Sequence, residues 1–257
     1  LTERFTTLGS DYPEEPERTP FSLLLSTKKF WVKSVMKIIK AKEGEVFDIE
    51  LEESLLAKNR QLAEENRRVL DENGILAIDV MGSVGSGKTT LISHIVKRLK
   101  RKYRIACLAG DLTTTIDAEN LKKAGAKVVQ INTGKECHLD ANLIRKALKE
   151  LPLKNLDLIF IENVGNLICP AEFPLGSHKR VVVVSFSEGP FIIRKHPYIF
   201  LNADLVVINK KDLAQRMNVS FSQLQKEILT LKPKIKVLPT IAKRGIGVSE
   251  VIEGLGL

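Results

Sequence analysis

Short runs of Val, Ile and Leu recur along this chain, and most are followed by a stretch in which apolar residues return every three or four positions. The runs over residues 75–81, 104–109, 127–131, 156–161, 181–186, 205–208 and 237–239 have strand length and are largely apolar, as expected of strands buried on both faces. Helical spacing is carried by Leu91, Ile92, Ile95, Val96 and Leu99, and by segments 117–124, 140–151, 221–231 and 248–253. Strands separated by helical patterns predict an α/β protein of three layers, with a mostly parallel central sheet and helices on both faces. A long loop is expected from the end of the fourth run to Gly176.

Upstream, Leu55, Leu62 and Val69 lie seven apart, with Leu56, Ala63 and Leu70 in parallel. Asp48 is placed to cap such a helix and Asn73-Gly74 to stop it, so residues 36–74 are read as a segment with an amphipathic helix packed on the sheet. A coiled coil is disfavoured because the repeat lasts only about three heptads. Residues 1–35 hold Pro13, Pro16 and Pro20 among acidic and hydroxyl residues with no period, and are expected to be a disordered or spurious extension before Met36.

Ligands of parallel sheets bind at the carboxyl ends of the strands. The first run ends in Gly82-x-x-x-x-Gly87-Lys88-Thr89, a phosphate-binding P-loop pattern on a strand-to-helix turn, which makes residues 75–257 a P-loop NTPase domain. The backbone of Gly82, Ser83, Val84, Gly85, Ser86 and Gly87 is expected to cradle phosphates at a helix N-terminus. Lys88 would reach the β/γ-phosphates, Thr89 would place its hydroxyl on Mg²⁺, and Thr90 completes the set.

The sixth run ends in Asn209-Lys210-Lys211-Asp212, an N-K-x-D pattern that reads guanine. Asp212 can accept from both the N1–H and the exocyclic amine of guanine, whereas adenine would leave the charge unpaired. Asn209 is expected on another base edge, with the stem of Lys210 over the ring. Ala242 and Lys243 fall where an S-A-K-like loop supports the base, so GTP is favoured over ATP. The fourth run ends in Glu162-Asn163-Val164-Gly165, where Glu162 can hold Mg²⁺ and the amide of Gly165 can sense the γ-phosphate. Asp111 offers a second carboxylate at the same edge. Either acid would serve equally as a cap or a solvated strand end. No side chain stands out as a general base, so Lys88, Asp111, Glu162 and Gly165 suggest slow hydrolysis by a positioned water.

Composition narrows the partners. The formal charge is +9 and the pI about 9.4, yet aromatics are only 5% and Lys/Arg runs are short, which argues against nucleic acid. The apolar stretch 21–39 is broken by four lysines, so no membrane insertion is expected. Three scattered cysteines indicate a reducing, cytoplasmic setting. Cys137-His138 and Cys169 all sit in loops after strands and offer a soft nitrogen–sulfur set for Zn²⁺ or Ni²⁺, one ligand short of a tetrahedron. Each would equally be an ordinary buried thiol or satisfied ring. Cys107, inside a strand, reads as core.

Taken together, GSVGSGKTTL, GDLTTTIDAENL, NTGKECHLDA, ENVGNLICPAEFPLG, SEG, KHP and NKKDL resemble the HypB family of GTPases, which insert nickel during [NiFe]-hydrogenase maturation. The resemblance implies a SIMIBI-class P-loop GTPase with Mg²⁺, a GTP-dependent homodimer, and a Ni²⁺ or Zn²⁺ site at the dimer interface on Cys137, His138 and Cys169. Its implied partners are a nickel chaperone and the hydrogenase large-subunit precursor. Lys195, in the K-H-P match, would sense nucleotide state near the interface. The segment Pro190-Phe191-Ile192-Ile193 departs from a polar family pattern, and no His-rich nickel-storage tract is present. The alternatives are a urease-accessory nickel GTPase, which places a C-P-H motif where this chain has Glu136-Cys137-His138-Leu139, and a nucleotide-dependent dimerising ATPase that handles no metal.

Overall fold

The computed structural model describes residues 49–134 and 136–257, so the expected extension over 1–35 and the cap at Asp48 lie outside the described residues. The first element, helix α1 (Ile49–Glu72), turns a mixed face inward. Leu56 is half-buried, and Asn59, Ala63, Asn66 and Leu70 are buried at spacings of three and four, whereas Leu55 and Val69 face out. The outer heptad stripe is therefore not the packing face. Two asparagines take that role because what α1 meets is backbone. Asn59 donates to Pro174 O at 2.9 Å and accepts from Ala141 N at 2.8 Å, while Asn66 donates to Ala141 O at 2.8 Å and Leu175 O at 3.1 Å.

The chain then runs β1 (Leu76–Gly82), α2 (Lys88–Leu99), β2 (Ile105–Asp111), α3 (Ile116–Ala124), β3 (Lys127–Asn132), α4 (Ala141–Lys149) and β4 (Leu158–Glu162). Within the expected long loop the structure places a one-turn helix, α5 (Cys169–Glu172), before β5 (Lys179–Ser185). The segment at 191–200 forms two short helices, α6 (Ile192–Lys195) and α7 (Pro197–Leu201), separated where Pro197 cannot continue the first. β6 (Leu205–Asn209), α8 (Phe221–Leu231), β7 (Lys236–Pro239) and α9 (Val248–Gly254) complete it.

The strands form one seven-stranded sheet in the order β3-β2-β4-β1-β5-β6-β7, and every pairing between them is parallel. Among the described residues, the mostly parallel sheet expected from the pattern is wholly parallel. One face is covered by α2, α3 and α9 through Leu91, Ile95, Leu121 and Val251, the other by α1 and α4 and by α6 to α8. Each fully buried Leu, Ile or Phe contributes roughly 1.5–3 kcal/mol relative to exposure. β1 lies at the centre, flanked by β4 and β5, so the P-loop emerges from the most buried part of the sheet with the ends of β2, β4 and β6 around it.

Candidate functional site

A cavity of about 800 Å³ opens at the carboxyl edge of the sheet. Val84, Gly85, Gly87, Lys88, Thr89 and Thr90 line one side, Glu162 and Gly165 another, and Asn209, Lys210, Asp212, Ala242 and Lys243 the far end. Two of the P-loop glycines, Gly82 and Gly87, are there for space. Gly87 precedes α2 at φ 101, and a Cβ on it would stand 2.2 Å from Asn209 Nδ2. A Cβ on Gly165 would stand 2.4 Å from the side chain of Val84, so the loop after β4 lies directly on the P-loop. Lys88 is buried, and its Nζ donates to Gly82 O and Ser83 O at 3.1 Å each, within the turn it closes. Burial holds its pKa below the ordinary value, against the pull of Glu162, Asp117, Glu188 and Asp111.

The cation-binding end is defined by Thr89. Its Oγ1 lies 2.6 Å from Glu162 Oε1 and 2.8 Å from Asp117 Oδ1. One hydroxyl has one hydrogen, so it can donate to only one of these acceptors at a time. The other contact needs a proton or a cation. Glu162 is buried and its Oε2 has no hydrogen-bond partner among the described residues. Its carboxyl is pushed up to about 7, chiefly by burial and further by Asp117 and Asp111, against Thr89 and Lys88. An orphaned buried carboxylate oxygen beside a threonine hydroxyl and a second acid fits an oxygen-coordinated divalent ion such as Mg²⁺.

The acid in contact with Thr89 is Asp117, besides the expected Asp111 on the cavity wall. Asp111 lines the cavity, but its carboxylate accepts from Thr114 Oγ1 at 2.6 Å and from the N–H groups of Thr113 and Thr114 at 3.2 and 3.4 Å. Partial burial raises its pKa, and these hydrogen bonds outweigh that and hold the carboxyl below the usual range. Asp111 caps the turn; Asp117, in the first turn of α3, is the carboxylate that reaches Thr89. Sequence patterning marked Asp117 only as a helix start, because α3 is brought against α2 by tertiary packing alone.

Asn209 lines the cavity and is also tied into the fold. Its Nδ2 donates to Ser86 O at 2.8 Å, and its Oδ1 accepts from Thr240 Oγ1 at 3.0 Å and Ala242 N at 2.9 Å. A side chain with both lone pairs and one amide hydrogen so engaged ties the P-loop to the loops after β6 and β7, and its second amide hydrogen is left for the expected base edge. Asp212 and Lys243 remain exposed on the cavity wall. Lys210 adopts a left-handed conformation at φ 60, and its Nζ donates to Ser187 Oγ at 3.2 Å. Lys195 sits exposed on α6 and is not among the residues that line the cavity.

A second cluster joins residues from before and after Gly165 in sequence. The ligand atoms of Cys137, His138 and Cys169 lie within 4.8 Å of one another, with the two sulfurs 3.0 Å apart and Cys137 Sγ 3.9 Å from His138 Nδ1. Phe173 packs on the His138 ring with centroids 3.9 Å apart. Partial burial keeps His138 below its ordinary pKa, which favours the neutral, ligating ring. Burial and the neighbouring Cys137 raise the Cys169 thiol, so two sulfurs this close favour a proton, or a cation in its place. Two sulfurs and an imidazole nitrogen suit Zn²⁺ or Ni²⁺, with a fourth position left to another donor. Cys107 is fully buried in β2, as its position in a strand predicts, and burial drives its thiol far above the ordinary range.

Comparison with known proteins gives one consistent result. Residues 76–239 match the family model described as CobW/HypB/UreG, nucleotide-binding domain. The chain is 48% identical over 205 residues to the probable hydrogenase maturation factor HypB of Methanocaldococcus jannaschii, covering 80% of this chain and 93% of that protein. The crystal structure of HypB from Archaeoglobus fulgidus is similar at 42% identity and a TM-score of 0.73, over 78% of this chain and 98% of that one. HypB from Helicobacter pylori in complex with nickel is similar at 34% identity and a TM-score of 0.73, over 77% and 93%.

Proposed function

The chain belongs to the CobW/HypB/UreG nucleotide-binding family and, within it, to the HypB hydrogenase maturation factors, and on that premise we propose that it is a GTP-hydrolysing metallochaperone delivering nickel during [NiFe]-hydrogenase maturation. The observation that carries this reading is the single loop from Glu162 to Cys169. Its first residue faces Thr89 in the nucleotide cavity, and its last is a sulfur ligand in the cysteine cluster.

The residues divide the work as follows. P-loop amides and Lys88 hold the phosphates, and Asp212 reads guanine through its paired donors. Thr89, Glu162 and Asp117 hold Mg²⁺, which when bound offsets negative charge on the β- and γ-phosphates. Gly165, whose Cβ position is taken up by Val84 of the P-loop, would offer its amide to the γ-phosphate, and hydrolysis by a positioned water without a side-chain base would be slow. Cys137, His138 and Cys169 take nickel, or zinc, as cargo. A GTP-dependent homodimer supplies the missing donor across its two-fold axis, and a nickel chaperone or the hydrogenase precursor receives the ion in the cytoplasm. Among the described residues no helix is long and apolar enough to cross a membrane.

The test is nickel and zinc stoichiometry of the wild type, Cys137→Ala and Cys169→Ala, each with GDP and with a nonhydrolysable GTP analogue, alongside oligomeric mass. Loss of the tight site in both variants is expected. Unchanged stoichiometry in both removes the metallochaperone reading, and competition by ADP as strong as by GDP removes guanine specificity.

A further inference from the structure

Asp79 occupies the middle of β1, three residues before the P-loop, and none of its surface is exposed. Strand alternation puts it on the face of Ala77 and Met81, between two apolar clusters. Its Oδ1 accepts from Asn163 Nδ2 at 3.3 Å. Its Oδ2 has no hydrogen-bond partner among the described residues and lies 3.9 Å from Nε of Arg180, its register neighbour on β5. Burial drives the carboxyl up to about 6, against Arg180 and Asn163. A buried pair like this adds little to stability compared with apolar residues of the same volume; its effect is to hold one arrangement.

Both partners of Asp79 lead to the cysteine cluster, by separate routes. Asn163 follows Glu162 directly, and its Oδ1 accepts from Leu139 N at 3.2 Å and Val164 N at 3.0 Å. Leu139 is the residue after Cys137-His138 and is fully buried, with a Cβ on Gly110 reaching to 2.8 Å of its Cδ1. Arg180 Nη2 donates to Pro170 O at 3.3 Å and Phe173 O at 3.5 Å, gripping the short helix that begins at Cys169. One arm therefore holds the two ligands of the 137–138 loop, the other arm holds the third ligand, and Asp79 joins the arms.

We propose that Asp79, Asn163 and Arg180 are positioning residues that set the spacing of Cys137 and His138 against Cys169 and transmit to it movement of the strand end at Glu162. This rests on the nickel GTPase reading above. The asymmetry of the arms supplies the mechanism. When the Glu162 carboxylate is drawn toward a cation held with nucleotide, Asn163 moves with it as the next residue, and Leu139 follows through its hydrogen bond. The α5 end is anchored on β5, which carries no group at the cation, so it stays. Two ligands shift relative to the third, and nickel affinity changes with the nucleotide.

Two variants separate this role from folding: Asp79→Asn, which keeps the shape, and the pair Asp79→Leu with Arg180→Met, which keeps the core filled with apolar atoms. On the full chain, Ni²⁺ dissociation constants are measured with Mg-GDP and with a Mg-bound nonhydrolysable GTP analogue. Alkylation rates of Cys137 and Cys169 are measured in the metal-free protein in the same two states. In the wild type the two Ni²⁺ constants are expected to differ by roughly tenfold, a coupling of ordinary size. In both variants the ratio falls to near unity and the nucleotide dependence of alkylation disappears, while nucleotide affinity stays at the wild-type value. A wild-type ratio in both variants overturns the inference and leaves the metallochaperone reading intact. Equal constants in the wild type overturn the inference and the nucleotide-controlled metal site together.

Discussion

Replacing Glu162 by Gln tests the cation end of the cavity through an effect with a calculable size. Glu162 titrates at about 7 in the fold against an ordinary 4.5, because burial and the neighbouring Asp117 and Asp111 oppose its charge. At about 1.4 kcal/mol per pH unit, ionising it in the metal-free protein costs about 3 kcal/mol at pH 8. A carboxyl whose folded pKa is raised destabilises above that pKa, and the penalty fades as pH falls from about 7 toward 4.5, leaving about 1 kcal/mol at pH 5. Glu162→Gln keeps the acceptor for Thr89 and removes the charge. Without metal and nucleotide it should therefore unfold above the wild type at pH 8, by up to roughly 6–12 °C for a domain of this size, and the gap should narrow at pH 5. The order reverses when ligands are present: Mg²⁺ should raise nucleotide affinity in the wild type and leave the variant unchanged. Calorimetry at both pH values and a fluorescent-nucleotide titration with and without Mg²⁺ measure the two effects. A variant less stable than wild type at pH 8, or an undiminished Mg²⁺ effect, refutes the argument.

Asn209→Ala should orphan the buried carbonyl of Ser86 and the groups at Thr240 and Ala242, each at a cost of roughly 1–3 kcal/mol, and lower thermal stability and GDP affinity together; normal stability with normal affinity would contradict its role as a tie. Asp212→Asn should weaken GDP by roughly 1.5–3 kcal/mol while admitting xanthosine diphosphate, which presents an acceptor where guanosine presents the amine, and an unchanged ratio of the two nucleotides in competition binding would remove Asp212 from base reading.

How much of this was legible in the sequence depends on the range of the interaction involved. Strand and helix order, the P-loop and the end of β6 follow from local periodicity and from motifs a few residues long, and the structure keeps them to within a residue or two at most boundaries. The approach of Asp117 to Thr89 did not follow, because a hydroxyl three residues further on holds Asp111 and helix packing delivered Asp117. The loop from Glu162 to Gly176 carried no period, and its one-turn helix is held from outside by Arg180 and Asn202. Asp79 is a lone acid in an apolar strand, and nothing within several residues reveals that Asn163 and Arg180 stand beside it. Local chemistry decides which backbone turns can cradle a phosphate. Only packing across 84 and 101 positions of chain brings together the charges that fix how that cradle is joined to the thiols, and such pairings leave no periodic trace.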